Sequence, residues 1–98
     1  MANGQLITGK KAQTLVTKGA VLVDVRDPVS FRDGSLPGAI NMSLRQLSQL
    51  QKYPKTTKVV VFGDPKDPVT LKSALNYLEV YGFVNTFSLG NIDSWYKS

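Results

Sequence analysis

The side chains best placed for chemistry stand in two short runs. Asp24 and Arg26 close the apolar run Val21-Leu22-Val23-Asp24-Val25, and Asp64 and Asp67 flank Pro65 and Lys66 in the loop Gly63-Asp64-Pro65-Lys66-Asp67-Pro68. Two carboxylates at this spacing suit acid–base work or a hard cation. Helix capping and turn formation explain them more simply. Arg26 and Lys66 are the cations that could meet an anion at the same place. The simpler reading of Asp24 and Arg26 is an ion pair that holds the following loop.

Other chemistries are closed by composition. The chain has no cysteine and no histidine. Thiol catalysis, disulfides and cysteine metal sites are therefore excluded, as are the usual neutral-pH base and the commonest metal ligand. Ser43 and Ser73 have no base to activate them. No metal and no cofactor is expected. Twelve basic residues against seven acids give a net charge of +5. The lysines are scattered, and the densest group, Lys52 to Lys58, is broken by Tyr53, Pro54, Thr56 and Thr57. That pattern suits a solvated face and argues against nucleic acid as a partner. No apolar run approaches the ~20 residues of a membrane span. The first residues lack the charged and apolar regions of a signal peptide, so a cytoplasmic location is expected.

The elements that must position these residues follow from pattern. Ninety-eight residues are read as one domain, 1–98, with 1–6 a loose N-terminal arm. Thr8 caps a helix over Gly9–Thr17, with Ala12, Leu15 and Val16 facing inward. Ala20–Val25 is a strand apolar on both parities, as in a sheet covered on both faces. Pro28–Leu36 holds one helical turn anchored by Phe31, and Ala39–Met42 is a short strand. Ser43 and Gln46 form a capping box, with Leu47 and Leu50 as the buried stripe of the helix that follows. Val59–Phe62 is a buried strand ending at Gly63. Asp67 caps a helix from Pro68 to Tyr81, stopped by Gly82. Val84–Leu89 holds the last strand, Gly90-Asn91 turns the chain, and Ile92 and Trp95 dock a final helical turn. Alternating strands and helices predict an α/β fold: a mostly parallel sheet of four or five strands with helices on both faces. Tyr81 and Trp95 are read as core, and Tyr53 as the exposed aromatic.

These segments together resemble the rhodanese (single-domain sulfurtransferase) family. The resemblance is carried by Val21 to Pro28 with Phe31, by Gly34-Ser35-Leu36-Pro37-Gly38-Ala39-Ile40-Asn41, by Val59–Phe62, and by Tyr81-Gly82-Phe83 with Gly90-Asn91-Ile92-Asp93-Ser94-Trp95. It covers nearly the whole chain and implies a rhodanese-like three-layer fold. Active members carry a cysteine directly after the central strand, which accepts sulfane sulfur as a persulfide. A loop closed by an arginine then cradles the anion with backbone N–H groups. Gly63 stands at the cysteine position and Pro68 at the arginine position. A persulfide needs a thiolate, and the only sulfur here is in Met1 and Met42. Pro65 and Pro68 have no N–H to offer, and Asp64 and Asp67 oppose an anion. The expected function is a catalytically inactive rhodanese-like domain that binds a protein or regulates one. Its binding loop would be Gly63 to Pro68, with the neighbouring segment 26–36 and a pocket mouth at Asp24 and Arg26. Two alternatives are sulfur transfer with a cysteine supplied by a partner chain, and anion sensing through Arg26 and Lys66.

Overall fold

The computed structural model describes residues 3–97. Five strands form one all-parallel sheet: β1 (Gln5–Leu6), β2 (Val21–Asp24), β3 (Ile40–Asn41), β4 (Val59–Gly63) and β5 (Thr86–Asn91), in the spatial order β1-β5-β4-β2-β3. Three α-helices, α1 (Gly9–Thr17), α2 (Pro28–Asp33) and α3 (Pro68–Val80), and two 3₁₀ helices, Leu44–Lys52 and Ile92–Tyr96, complete it. This is an α/β rhodanese-like architecture, as the sequence predicts.

Alternation along β4 builds the two cores. Val59 and Val61 face one layer, with Ala74 and Leu78 of α3 and Leu47 and Leu50 of the first 3₁₀ helix. Val60 and Phe62 face the other, with Ala12 and Leu15 of α1 and with Ile92 and Trp95. All five β4 residues are buried, which is why the strand is apolar on both parities. A strand covered on both sides holds the loop at its carboxyl end rigidly.

Four features differ from expectation. The arm 1–6 is not loose over its described part, and residues 1–2 lie outside the described residues. Gln5–Leu6 pairs with Phe87 and Ser88. Asn3 donates to the Phe83 carbonyl (2.8 Å) and accepts from the Thr86 N–H (2.9 Å). The free edge of β5 demands a partner for its backbone groups, and a two-residue strand is too short to show periodicity. Gly90-Asn91 belongs to β5 and is not a turn: a bulge between Val61 and Phe62 sets Phe62 opposite Gly90 and Gly63 opposite Asn91. Gly90 takes φ of 87°, a conformation glycine adopts without penalty. The helix after Ser43 is 3₁₀ rather than α. Leu44, Leu47 and Leu50 recur every three residues, the repeat of a 3₁₀ turn. Tyr53 is half-buried against the core, with the Lys52 ammonium 5.6 Å from its ring centre. The exposed tyrosines are Tyr77 and Tyr96.

A close approach fixes the first helix. A Cβ on Gly9 would stand 2.2 Å from the Ser94 carbonyl oxygen and 2.5 Å from that of Trp95. Only glycine lets α1 begin against the C-terminal 3₁₀ helix.

Candidate functional site

The carboxyl ends of β2 and β4 open on one cleft of about 670 Å³. A parallel sheet places its ligand crevice at this end. Val25, Arg26 and Asn41 line it, with Asp27 and Pro28 at the start of α2 and Ser43, Arg45 and Gln46 from the first 3₁₀ helix and its cap. Asp64, Asp67 and Thr70 line it from the loop after β4 and the start of α3, and Tyr77 from further along α3.

Asp24 is wholly buried at the end of β2. It accepts from the Arg26 backbone N–H (2.9 Å), from Arg26 Nε (3.1 Å to each oxygen) and from Nη2 (2.9 Å). The Ser35 hydroxyl donates to it at 2.8 Å. Arg26 Nη2 also donates to the Gly34 carbonyl at 2.6 Å. The hydrogen bonds to Asp24 push the Arg26 pKa above its already high value, and Asp64 and Asp27 add to this at longer range. Asn41 Nδ2 reaches the carbonyls of Asp24 (3.0 Å) and Arg26 (2.8 Å). The pair thus ties segment 26–36 to the sheet, and the guanidinium is turned toward protein acceptors.

The second loop satisfies itself. Asp64 Oδ1 accepts from the Lys66 N–H at 2.7 Å, and the Asp67 N–H donates to the Asp64 carbonyl at 3.0 Å. Asp67 caps α3, accepting from the Thr70 N–H (3.1 Å) and the Thr70 hydroxyl (2.6 Å). Asp27 does the same for α2 with the N–H and hydroxyl of Ser30, both at 2.9 Å. Asp27-Pro28-Val29-Ser30 and Asp67-Pro68-Val69-Thr70 are one tetrapeptide pattern used twice. Pro65, Lys66 and Pro68 are exposed and lie off the cleft wall. Gly63 is buried beneath the loop, and a Cβ there would meet Val25 Cγ2 at 3.5 Å and Leu71 Cβ at 3.6 Å, ordinary contact.

Of the residues expected in the site, Arg26, Asp64 and Asp67 share the cleft. Asp27, within the segment 26–36 expected beside the loop, lines it too. Arg45, Thr70 and Tyr77 also belong to it and were not foreseen there. The repeated Asp-Pro-Val-Ser/Thr pattern is the signal that pairs Asp27 with Asp67. Nothing local in sequence marks Arg45 or Tyr77. Among the described residues no group of His, Cys, Asp or Glu could hold a metal.

Both cap aspartates titrate below the usual carboxylate value. For Asp27 the Ser30 N–H is the main cause, then its hydroxyl; for Asp67 the Thr70 hydroxyl leads, then its N–H. The folded pKa lies below the unfolded one, about 3.9. Their contribution to stability is therefore complete above that value and disappears as pH falls through it toward the folded pKa. Urea unfolding between neutral pH and about pH 3 will show a smaller acid loss for the D27N/D67N double variant than for the parent. Equal losses would place the acid sensitivity in other groups.

The Rhodanese-like domain model matches residues 8–98. A thiosulfate sulfurtransferase GlpE of Pseudomonas syringae is 31% identical over 99 residues, covering 97% of this chain and 90% of that protein. A tRNA 2-selenouridine synthase of Cronobacter sakazakii is 54% identical over 33 residues, 34% of this chain but 9% of that protein, so this chain spans a small part of its length. The single-domain sulfurtransferase RDL2 of Saccharomyces cerevisiae superposes with a TM-score of 0.75 at 22% identity, covering 97% of this chain and 90% of that one. The chain belongs to the rhodanese-like domain family. Within that family it is a sulfurtransferase-related domain with glycine at the position where the resemblance puts the nucleophile. Among the described residues no helix is long and apolar enough to cross a membrane.

Proposed function

We propose that this chain is a rhodanese-like domain that does not transfer sulfur by itself and serves as a protein-binding or regulatory module. The contact surface is the loop Gly63 to Pro68 together with the neighbouring segment 26–36. The observation that carries the reading is the closed loop after β4. Its Lys66 and Thr70 N–H groups donate to Asp64 and Asp67, and the chain holds no thiol. An anion-cradling loop needs those donors free, and a persulfide needs a thiolate. A rigid scaffold carrying exposed loops is a common basis for recognition.

Two measurements test it. The pure chain, given thiosulfate and cyanide, will release no thiocyanate above a protein-free control. Immobilised chain will capture a protein from an extract of its own cells, and a variant with residues 64–67 replaced by glycines will not. Sustained thiocyanate release, or capture indifferent to the loop, overturns the reading.

A further inference from the structure

The cleft has a sign, and the sign is opposite to that of the chain. Arg26 is cancelled by Asp24 at 2.9 Å. What remains on the walls is Asp27, Asp64 and Asp67 against Arg45, so the cleft is net acidic in a protein of charge +5. Charges on the far surface are screened beyond a Debye length of about 8 Å at physiological salt, so the local balance governs what enters. The N–H groups of Ser30, Lys66 and Thr70 already donate to the three aspartates. An anion would find these three N–H groups taken and three carboxylates against the cation Arg45. Each carboxylate still has lone pairs for a further donor.

Beside the cleft runs an unpartnered face of α3. Val69, Tyr77 and Val80 are 71%, 42% and 82% exposed. Positions 69, 73, 77 and 80 fall on one side of a helix. Tyr77 belongs both to this stripe and to the cleft lining, and a tyrosine ring face suits a cation.

We infer that the cleft receives a lysine or arginine side chain from a segment of a partner protein whose neighbouring apolar residues lie on the Val69–Val80 face of α3. The inference rests on the binding-module reading and specifies the partner's chemistry. The cation pairs with Asp64, in the field of the two cap aspartates that line the same cleft. The apolar neighbours cover the exposed Val69 and Val80. Surface complementarity of this kind sets specificity and approach more than raw affinity.

The test uses the whole chain labelled with nitrogen-15 and two capped synthetic peptides, Leu-Lys-Val-Arg-Leu and Leu-Glu-Val-Glu-Leu. The basic peptide at millimolar concentration will shift the backbone amides of Ser30, Lys66 and Thr70, and added salt will reverse the shifts. D64N, which touches neither helix cap, will weaken binding roughly threefold, the factor that a partly exposed ion pair carries. The acidic peptide will leave those amides in place. Equal shifts from both peptides, or none from the basic one, overturn the inference. So does concentration-dependent sedimentation of the chain that D64N abolishes, which would assign the cleft to a second copy. Loop-dependent capture from extract without a response to the basic peptide removes only the basic partner, whereas loss of the loop-dependent capture removes the binding module itself.

Discussion

Asp24→Asn will destabilise the fold by about 3 kcal/mol and lower Tm by about 12–24 °C. The substitution keeps the shape and removes the charge. The Asp24 side chain is fully buried and accepts three contacts from the Arg26 guanidinium, one from the Arg26 N–H and one from Ser35. Every one of those partners is a donor. An asparagine turns two donor hydrogens toward them, so some of the pairs are lost whichever way the amide sits. The Arg26 side chain, only 10% exposed, is left as a charge without a counterion. Breaking a buried pair on one side costs more than removing both partners, because of the charge left behind. The double variant D24N/R26M will therefore regain part of the loss, and the non-additivity measures the coupling. Thermal unfolding followed by circular dichroism reads all three variants. A D24N chain within a few degrees of the parent would mean that the pair does not hold segment 26–36.

The same residues show what sequence can and cannot convey. β4 was legible because four apolar residues covered on both faces leave a run that nothing interrupts. α3 was legible because Asp67, Pro68 and the leucines place its start and its buried face independently. The pairing of Asp24 with Arg26 was open to reading as a brace, since they share the end of one strand. β1 was hidden: two exposed residues, Gln5 and Leu6, carry no period, and their order comes from the edge of β5. The extension of β5 through Gly90-Asn91 was hidden as well, because a bulge makes a glycine look like a stop. In the cleft, the loop after β4 was marked by its prolines and aspartates. Arg45 and Tyr77 come to it from other elements, and only the layering of the Leu44–Lys52 helix and α3 on one face of the sheet brings them to the same opening.

Gly63→Cys alone will fold and will leave thiosulfate:cyanide sulfur transfer at background. Space is not the obstacle. The new Cβ meets Val25 and Leu71 at 3.5 and 3.6 Å, normal contact distances, so stability will change little. The surroundings are the obstacle. A low-pKa thiol needs a positive field, from a helix N-terminus or a nearby cation. Here the α3 N-terminus is occupied by the Asp67 carboxylate, and the Lys66 N–H just before it by Asp64. Pro65 and Pro68 supply no N–H at all. The Arg26 guanidinium is bound to Asp24 and Gly34. A thiolate at 63 would be buried against Val25 and Leu71, which raises its pKa, and the sulfur anion arriving to react with it would pass Asp64 and Asp67. Restoring the field requires the loop. G63C combined with Pro65→Ser, Asp67→Asn and Pro68→Arg adds two backbone N–H donors, removes a charge and returns a cation to the place where the family resemblance expects arginine. Losing a preorganised donor at a reacting oxyanion costs about 10²–10³ in rate. The composite variant will therefore exceed G63C by a factor of that order, measured as thiocyanate released per chain. Full activity from G63C alone would show that the aspartates and prolines do not oppose sulfur chemistry. The absence of transfer would then follow from the missing thiol, with no contribution from the way the loop satisfies itself.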